Sequence, residues 1–324
     1  MTARLHLSPA SSAPWLSVIM PVYRGERWID AALRSIAAEP EDGVEILILD
    51  SSPDSTTLEI VRRYDSLLNL RIMKLDEGLI WHAKTNIGVE RAQALHICWL
   101  HHDDLWLPGR IEAIRKWIER APNAALHLAP SAIIDANGRT LGEWRCPLDK
   151  DAETGSEETM QRLLVQNFIS APAPVFRKDA WLSCGGLDES LWYTADWDLW
   201  LKLAALGPVH YHSEVTTAFR VHNSSLTVTG ARKIEEFSQQ MQIVFDRHLP
   251  TLAEIDKCAE AAGRASIRVN AALAAASGGD FSLLAPAVAA VMGLGPRGVA
   301  RYLRDSRIYD RLAPRLRAKF AGAF

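Results

Sequence analysis

The sequence predicts an α/β fold in which a doubly wound, mainly parallel sheet is followed by a helical extension. Short apolar runs alternate with segments of helical periodicity over the first 120 residues, and this alternation is typical of parallel βαβ units. Polar residues follow these runs, at the sheet edge where ligands bind in such folds. The chain has 324 residues, of which 48% are hydrophobic, and this is enough for one large core.

The first half of the sequence contains four predicted strands, each followed by a predicted helix. The strands are residues 16–20, 45–49, 70–74 and 95–100. The first helix follows Gly25, the second follows the cap residues 51–55, and the third covers residues 83–93. The fourth begins near Pro108, because proline suits the first turn of a helix. Right-handed crossovers bring the carboxyl ends of the strands to one edge. We therefore expect one crevice to hold the side chains of Tyr23, Asp50, Asp103 and Asp104.

The second half of the sequence has a different pattern of apolar and polar residues. Pro172 and Pro174 exclude a helix around them, and acidic residues open a helix at residue 195, where the helix dipole favours them. The predicted elements are a surface loop over residues 151–158, an extended segment over 167–177, a helix from 195, strands over 209–212 and 215–221, and alanine-rich helices from 231 onward.

Composition limits the classes of partner. The formal net charge is −3, which gives no general attraction to nucleic acid. The four cysteines are far apart and fit no zinc spacing, so we expect reduced thiols. The N-terminal residues lack the apolar core of a signal peptide, and no apolar run approaches the ~20 residues of a membrane span. A cytoplasmic protein is expected.

The last 29 residues form a basic segment. Residues 296–324 contain eight lysines and arginines against two aspartates, with apolar side chains interleaved. Such a segment could rest on anionic lipid, which would make the protein peripheral at the inner face of the membrane. It could equally be a solvated helical face that packs on the main domain.

The most informative motif is His101-His102-Asp103-Asp104, which directly follows the fourth apolar run. Charge at the end of a buried strand is costly unless something binds there. Aspartate and histidine are side chains that hold divalent metals. The motif therefore predicts a metal-assisted site for a phosphorylated ligand.

The order of motifs resembles that of the inverting family 2 glycosyltransferases, which have the Rossmann-like GT-A fold. The matching segments are residues 17–23, 45–56, 86–88, 101–104, 185–189, 196–200 and 219–227. Each motif alone is weak, but the ordered set is specific. The sequence departs from the family pattern at Ser51, where a second aspartate is common, at His101, which replaces the first aspartate of the metal motif, and at Thr85, where an arginine is common and Lys84 could supply the cation.

The resemblance implies a role for each matching residue. The residues implied in binding the nucleotide-diphosphate sugar are Pro21, Tyr23, Asp50, Lys84, Asp103 and Asp104. The implied ligands of a divalent ion, Mn²⁺ or Mg²⁺, are Asp103, His222 and His101. Asp196 is the implied general base that takes a proton from the acceptor hydroxyl.

Structural alternatives accompany these roles. His101 could only hydrogen-bond a neighbouring acid, and Asp104 could cap the helix near Pro108. Asp196 could be an ordinary acid of a first helical turn, whereas Asp50 could be a turn former. Asp198 is expected to pair structurally, and among the tryptophans Trp197 has the best claim to contact a sugar ring because it adjoins Asp196.

The resemblance also implies a domain division and a function. Residues 1–14 are expected to be disordered, residues 15–230 to form the GT-A domain and residues 231–324 a helical extension. Within the domain, residues 15–105 are the nucleotide-binding half and residues 106–230 the acceptor half. The implied reaction transfers a sugar, with inversion, to a saccharide or a lipid-linked acceptor in the synthesis of cell-surface polysaccharide.

Two other functions compete with this one. A sugar-phosphate nucleotidyltransferase shares the layout and the need for metal, but the loop over residues 21–25 is poor in the glycine that its phosphate loop requires. A GT-A-like module that binds a nucleotide without turnover is supported by His101 and opposed by the presence of Asp103, Asp196 and His222.

Overall fold

The computed structural model describes residues 13–40, 43–222 and 234–320 of the chain. The predicted disorder of residues 1–14 and the motif residues 223–227 lie outside these, apart from residues 13 and 14. The described strands are β1 (Leu16–Val22), β2 (Val44–Asp50), β3 (Leu70–Lys74), β4 (His96–Trp99), β5 (Leu105–Trp106), β6 (Leu126–Leu128), β7 (Ser131–Ile134), β8 (Thr140–Trp144), β9 (Ala152–Thr154), β10 (Val175–Arg177), β11 (Val209–Tyr211) and β12 (Thr217–Arg220). The described helices are α1 (Ile29–Ala37), α2 (Thr56–Val61), α3 (Trp81–Arg91), α4 (Arg110–Arg120), α5 (Ser156–Val165), α6 (Lys178–Ser183), α7 (Ala195–Leu206), α8 (Ile234–His248), α9 (Lys257–Ser277), α10 (Leu284–Met292), α11 (Gly295–Ser306) and α12 (Ile308–Phe320).

A large sheet with the strand order β3-β2-β1-β4-β10-β6-β11-β9 forms the centre of the molecule. Neighbours among β3, β2, β1 and β4 are parallel, β6 and β11 are parallel, and β10 and β9 run antiparallel to their neighbours. Every residue of β1 and β2 is buried, as expected for strands covered by helices on both faces. The predicted α/β class with a mainly parallel sheet is confirmed, and the hydrophobic core lies on both faces of this sheet.

Close packing of α3 on the sheet depends on Gly88. A Cβ atom at this position would lie 2.6 Å from Cγ2 of Ile19 and 3.0 Å from Cδ2 of Leu49. Only glycine fits at these distances. This explains why the helix that follows β3 carries glycine in the middle, at a cost in helix propensity.

A second sheet with the order β5-β12-β7-β8 was not predicted. Its strands have two to five residues and are assembled from segments far apart in the chain. Such short strands carry little alternation in the sequence, so pairing partners rather than local pattern define them. The predicted strand over residues 215–221 corresponds to β12.

The surface loop predicted over residues 151–158 is wrong. Residues 152–154 form β9, which pairs with β11 at the edge of the large sheet, and α5 begins at Ser156. The polar appearance comes from the acids in the first turn of α5, a helix whose buried face carries Met160 and Leu163. An amphipathic helix that begins with acids resembles a loop when only its first turn is considered.

The chain after residue 234 is helical and packs on the large-sheet domain. In the basic segment, Asp305 is fully buried beside the guanidinium groups of Arg301 and Arg304. Arg317 donates a hydrogen bond of 2.7 Å to the carbonyl of Leu141, at the strand β8. Packing on the domain is therefore observed for much of this segment. Over the described residues, every helix is too short or too polar to cross a membrane.

Candidate active site

The turn after β2 is organised by Asp50. This carboxylate is fully buried, and its Oδ1 accepts hydrogen bonds from the N–H and the hydroxyl of Ser52 at 3.0 and 2.5 Å. Its Oδ2 accepts from the ammonium of Lys74 at 2.8 Å. Asp50 therefore forms the turn, as the structural alternative expected, and its contact with a nucleobase stays a prediction.

Lys84 joins the ends of β1 and β2. Its buried ammonium donates to the carbonyl of Val22 at 2.6 Å and to the hydroxyl of Ser51 at 2.9 Å. Burial lowers the pKa of Lys84 to about 8, although the nearby Asp50 acts in the opposite direction. In this position Lys84 supports the strand ends, and its contact with a diphosphate stays a prediction.

Tyr23 is the exposed aromatic group at the end of β1. It follows the buried Pro21 and Val22, and 42% of its surface is accessible. The guanidinium of Arg24 lies 5.5 Å and the ammonium of Lys84 5.8 Å from its ring centroid. The exposed ring therefore lies next to two cationic groups.

The predicted metal motif forms a compact group of donors after β4. One ligand atom each of His101, Asp103 and Asp104 lie within 4.8 Å of one another. Nε2 of His101 and Oδ2 of Asp104 are buried and have no hydrogen-bond partner among the described residues. Burial lowers the pKa of His101 to about 4, so the imidazole is neutral near pH 7. Burial, together with the charge of Asp103, raises the pKa of the Asp104 carboxyl well above its usual range.

The second sheet brings the segment after β12 to this group. β12 pairs with β5, which directly follows the motif, and the N–H of Arg220 donates to Oδ1 of Asp104 at 2.9 Å. The Arg220 side chain donates to the main-chain carbonyls of Asp103 and Asp135 at 2.7 and 3.0 Å. Two residues on, Nε2 of His222 donates to Oδ2 of Asp103 at 2.8 Å. His222 therefore joins Asp103 in space, as the motifs implied.

The pKa of Asp103 responds to these neighbours. Burial alone would raise it, but the hydrogen bond from His222 and the nearby rings of His102 and His101 hold it below its usual range. Asp103 is therefore ionised at physiological pH. The ring of His222 is itself fixed against Trp28, with centroids 4.2 Å apart.

A divalent ion fits this group by donor chemistry and by spacing. Ligands of an octahedral ion at 2.0–2.1 Å lie about 3 Å apart when adjacent and about 4 Å apart when opposite. The three ligand atoms lie within 4.8 Å, and the 2.8 Å between His222 and Asp103 fits an adjacent pair of ligands as well as a hydrogen bond. A neutral imidazole beside carboxylates favours Mn²⁺ over Mg²⁺. The unpartnered Oδ2 of Asp104 places this residue among the possible metal ligands. From the sequence, Asp104 was expected to contact the nucleotide-sugar instead.

Asp196 occupies the first turn of α7. Its Oδ1 accepts from the N–H of Trp197 at 2.7 Å, and its Oδ2 accepts from the side-chain amide of Asn167 at 3.1 Å. Burial raises the pKa of Asp196 to about 6, against the effect of both hydrogen bonds. A carboxyl group with this pKa is well matched to general base catalysis near neutral pH.

Asn167 is fixed from two directions. The side-chain oxygen Oδ1 of Asn167 accepts from the N–H of Ile169 at 3.2 Å, which directs the side-chain NH₂ group towards Asp196. The preceding residue, Gln166, accepts hydrogen bonds from Ser266 and Asn270 of α9 at 2.9 and 2.8 Å. The helical extension therefore contacts the segment that holds Asp196.

Asp198, two residues further along α7, has the opposite environment. Its Oδ1 accepts from Arg247 and His248 of α8, both at 2.8 Å, and its Oδ2 lies 2.6 Å from the ammonium of Lys202. Although burial opposes them, these partners lower the pKa of Asp198 to about 2. The expected structural pairing of Asp198 is thus observed.

The family motif over residues 86–88 holds the turn before α7. The amide of Asn86 donates to the carbonyl of Leu187 at 2.9 Å and accepts from its N–H at 3.0 Å. Gly186 has φ +64°, and a Cβ there would lie 2.6 Å from Nε1 of Trp181. The turn therefore requires glycine, and Asn86 fixes it against α3.

Aromatic rings connect the metal motif with α7. Trp81 contacts the rings of both His101 and Trp99, with centroids 5.6 and 6.3 Å apart, and Trp99 contacts Trp200 at 5.0 Å. Trp200 lies one helical turn from Asp196. The expectation that Trp197 contacts a sugar is wrong, because this ring is 2% exposed and its N–H donates to the carbonyl of Leu163.

Comparison with known families decides the class of the domain. Residues 17–176 match the family described as Glycosyl transferase family 2. Residues 17–176 are a glycosyltransferase family 2 domain. The resemblance to family 2 is thereby confirmed, and the matched residues contain Tyr23, Asp50 and the 101–104 motif.

Curated relatives of the family 2 domain include several bacterial glycosyltransferases. An uncharacterized glycosyltransferase of Rickettsia typhi is 26% identical over 230 residues, which are 69% of this chain and 70% of that protein. The amylovoran biosynthesis glycosyltransferase AmsE of Erwinia amylovora is 28% identical over 194 residues, covering 59% and 70%. The O-antigen biosynthesis glycosyltransferase WbnJ of Escherichia coli is 26% identical over 222 residues, covering 65% and 81%.

Solved structures share the fold. The chain aligns with S. aureus TarS at a TM-score of 0.60 and 19% identity, over 92% of this chain and 53% of that one. The chain therefore spans about half the length of that protein. The mannosyltransferase PcManGT of Pyrobaculum calidifontis, solved with GDP-Man and Mn²⁺, aligns at a TM-score of 0.52 and 17% identity, over 97% and 90%. The GT-A fold expected from the motifs is confirmed.

Two residues that position the site were missed in the sequence. Asn167 lies in a segment noted only for its prolines, and Arg220 was considered only as part of a motif. The structural alternative for Asp104, a cap on the helix near Pro108, is wrong, because Glu39 accepts from the N–H groups of Gly109 and Ile111 at 2.8 and 3.0 Å. Asp104 therefore does not cap this helix. No local pattern links Glu39 to residues 70 positions away, so this contact could not have been found without the fold.

Proposed function

We propose that this chain transfers a sugar from a nucleotide-diphosphate donor to a hydroxyl group of a saccharide or lipid-linked acceptor, with inversion at the anomeric carbon. The observation that carries the proposal is the contrast between two carboxylates on one helix. The pKa of Asp196 is raised to about 6, whereas the pKa of Asp198 is lowered to about 2. Environments that separate two acids in this way identify the one suited to proton transfer.

Asp196 acts as the base in this proposal. The acceptor O–H proton goes to the Asp196 carboxylate as the acceptor oxygen forms its bond to the anomeric carbon. The bond from that carbon to the diphosphate oxygen breaks on the opposite face, and the electron pair leaves with the nucleoside diphosphate. Hydrogen bonds from Asn167 and from the N–H of Trp197 fix the orientation of the carboxylate, and each oxygen keeps a further lone pair that can accept the proton.

The donor is held at the opposite wall in this proposal. The exposed ring of Tyr23 offers a stacking face for the nucleobase. The turn that Asp50 organises lies at the end of the neighbouring strand β2. His101, Asp103, Asp104 and His222 would hold a divalent ion, which neutralises charge on the departing diphosphate when bound. The carboxylate Asp103 is the first choice for direct ligation because it is ionised.

Donor binding and turnover test the proposal together. We expect one of UDP-GlcNAc, UDP-glucose, UDP-galactose and GDP-mannose to raise the melting temperature in the presence of Mn²⁺, because a ligand of the native state stabilises it. That donor should then release its nucleoside diphosphate on incubation with extracted glycolipid or saccharide acceptors. A raised melting temperature together with release of nucleoside diphosphate supports the transferase. A raised melting temperature without release, whichever acceptor is added, would favour a module that binds the nucleotide without turnover.

The sugar-phosphate nucleotidyltransferase gives a different product. It would release pyrophosphate from a nucleoside triphosphate and a sugar phosphate. Release of pyrophosphate, with no nucleoside diphosphate from any donor, would replace the transferase proposal.

We also propose peripheral contact with an anionic membrane, through α10 and the adjacent basic segment. Residues 281–296 contain no charged side chain, and Phe281, Val288 and Met292 are 65%, 62% and 69% exposed. The exposed Arg297 follows directly. An apolar helix beside exposed basic groups suits the interface of an anionic bilayer.

Vesicle sedimentation tests this contact. The protein should sediment with vesicles of phosphatidylcholine and phosphatidylglycerol and less with phosphatidylcholine alone. Val288→Asp should abolish sedimentation without loss of stability, because the side chain is exposed, and an exposed residue of another surface, Leu67→Asp, is the matched control. Equal sedimentation of wild type and Val288→Asp would contradict the proposal.

A further inference from the structure

A second group of metal-ligating side chains lies at the carboxyl end of β11. One ligand atom each of Asp151, His212 and Glu214 lie within 4.8 Å of one another, and we refer to them as the β11 cluster. Strands β10 and β6 separate β11 from β4, which precedes the 101–104 motif. Three strand spacings of about 4.8 Å place the two groups about 14 Å apart along the sheet. The β11 cluster is therefore a separate site.

His212 presents one free nitrogen to the β11 cluster. The side chain is fully buried, and its Nε2 lies 3.1 Å from Nδ1 of His127. Its Nδ1 has no hydrogen-bond partner within the described part of the chain. An unpartnered nitrogen in a buried ring is costly unless a ligand satisfies it. If Nε2 carries the proton and donates to His127, Nδ1 is left with the lone pair that a metal requires.

The ring of His212 is held in a fixed orientation. Trp117 of α4 stacks on one face with centroids 4.4 Å apart and an interplanar angle of 7°, and His210 stacks with centroids 4.5 Å apart. Burial, followed by the nearby rings of His127 and His210, lowers the pKa of His212 to about 2. The ring is therefore neutral at physiological pH and needs no proton release to act as a ligand.

The two carboxylates of the β11 cluster are exposed, so an ion can reach them. Asp151 Oδ1 accepts from the N–H of Ser213 at 3.2 Å, and Glu214 Oε2 accepts from the indole N–H of Trp117 at 3.4 Å. Each carboxylate keeps acceptor capacity beyond these bonds. The nearest cation in an ion pair with Asp151 is Arg120, at 3.9 Å, which would compete with an ion for this carboxylate.

We propose that the β11 cluster binds a divalent transition-metal ion, with Zn²⁺ as the best fit, through Nδ1 of His212 and one oxygen each of Asp151 and Glu214. One imidazole and two carboxylates are a donor set that Zn²⁺ accepts, with water completing a tetrahedral site. The imidazole disfavours Mg²⁺ and Ca²⁺, which take oxygen ligands. The hydrogen bond from His212 to His127 supplies the outer partner that histidine ligands usually have. The ion would join the segment before β9 to the end of β11.

Metal titration of the chelator-treated, full-length protein tests this proposal. We expect Zn²⁺ to bind at the β11 cluster with an affinity that falls at least tenfold in Glu214→Gln and in Asp151→Asn. The exposed acid Glu153, on the neighbouring strand β9, supplies the matched control, and Glu153→Gln should bind as the wild type does. Arg120→Gln should bind more tightly, because it removes the competing cation.

The number of Zn²⁺ ions bound per chain distinguishes the β11 cluster from the 101–104 motif. Asp103→Asn should leave the β11 cluster's Zn²⁺ equivalent unchanged, so failure of the proposed active-site metal and failure of this proposal give different results. The variants replace exposed carboxylates rather than the buried His212, and urea denaturation in chelator would show that they fold. Wild-type affinity and stoichiometry in both Glu214→Gln and Asp151→Asn, or no Zn²⁺ uptake by the Asp103→Asn protein, would overturn the proposal.

Discussion

Replacing Asp196 by asparagine is expected to remove activity and, at the same time, to stabilise the folded protein as the pH rises. The pKa of Asp196 is about 6 in the folded protein, against 3.8 for the unperturbed group. The folded state therefore keeps its proton over a pH range in which the unfolded chain has lost it. Stability contributed by this group is present at low pH and is lost as the pH rises from about 4 to about 7.

The size of the effect follows from the two pKa values. Relative to low pH, the difference between the two pKa values lowers the free energy of unfolding by about 3 kcal/mol at pH 8 and by about half of that at pH 5. Asparagine does not titrate, so this cost disappears in the variant. The free energy of unfolding of Asp196→Asn relative to wild type should thus increase by about 1–2 kcal/mol between pH 5 and pH 8.

Urea denaturation at several pH values measures this difference, and release of nucleoside diphosphate measures activity. Loss of a general base should reduce turnover by about 10²- to 10⁴-fold. Asp198→Asn is the matched control on the same helix. Because the pKa of Asp198 is lowered to about 2, this carboxylate is ionised at both pH 5 and pH 8, so its own proton equilibrium contributes no change in stability over that range. Parallel pH dependence of stability in wild type and Asp196→Asn would refute the reasoning, as would full activity of that variant.

Three further predictions concern neighbouring positions. Asn167→Ala removes a hydrogen bond that favours the charged form of Asp196, so the rise of activity with pH should move to higher pH, as a pH–rate profile would show, whereas an unmoved profile would contradict the contact. Gly88→Ala should lower the free energy of unfolding by about 1–3 kcal/mol, because the added Cβ would collide with Ile19 of β1. Gly155→Ala is the control, because nothing lies within 4 Å of the Cβ added there. Equal stability of the two variants would contradict the packing argument. Asp103→Asn should abolish the rise in melting temperature with donor and Mn²⁺, and an undiminished rise would exclude Asp103 from the donor site.

Much of the fold is readable in the sequence because the parallel half of the sheet is built from continuous apolar runs. β1 and β2 are buried along their whole length, so each is a nearly continuous run of apolar residues in the sequence. β5 and β9 have two and three residues and sit at sheet edges, and a pattern of that length is not distinguishable from loop. β5 of the second sheet and β9 at the edge of the large sheet were missed for this reason.

The candidate site divides in the same way. The acids of the 101–104 motif and Asp196 are visible as charged residues at element ends, where burial is costly without a purpose. Asn167 and Arg220 act through contacts over 29 and 116 residues, and no local signal reveals such contacts. For Lys84 the sequence showed a cation near the site, but only the packing of α3 on β1 determines that its ammonium bonds Val22 and Ser51.

The anomeric configuration of the product tests the central claim most directly. NMR of the fresh reaction mixture, with an α-linked nucleotide-sugar that proves to be a donor, distinguishes the two anomers by the one-bond carbon–proton coupling at the anomeric centre. Displacement assisted by Asp196 in a single step predicts a β-linked product. An α-linked product would contradict the account, because retention requires a different mechanism from the one proposed for this carboxylate.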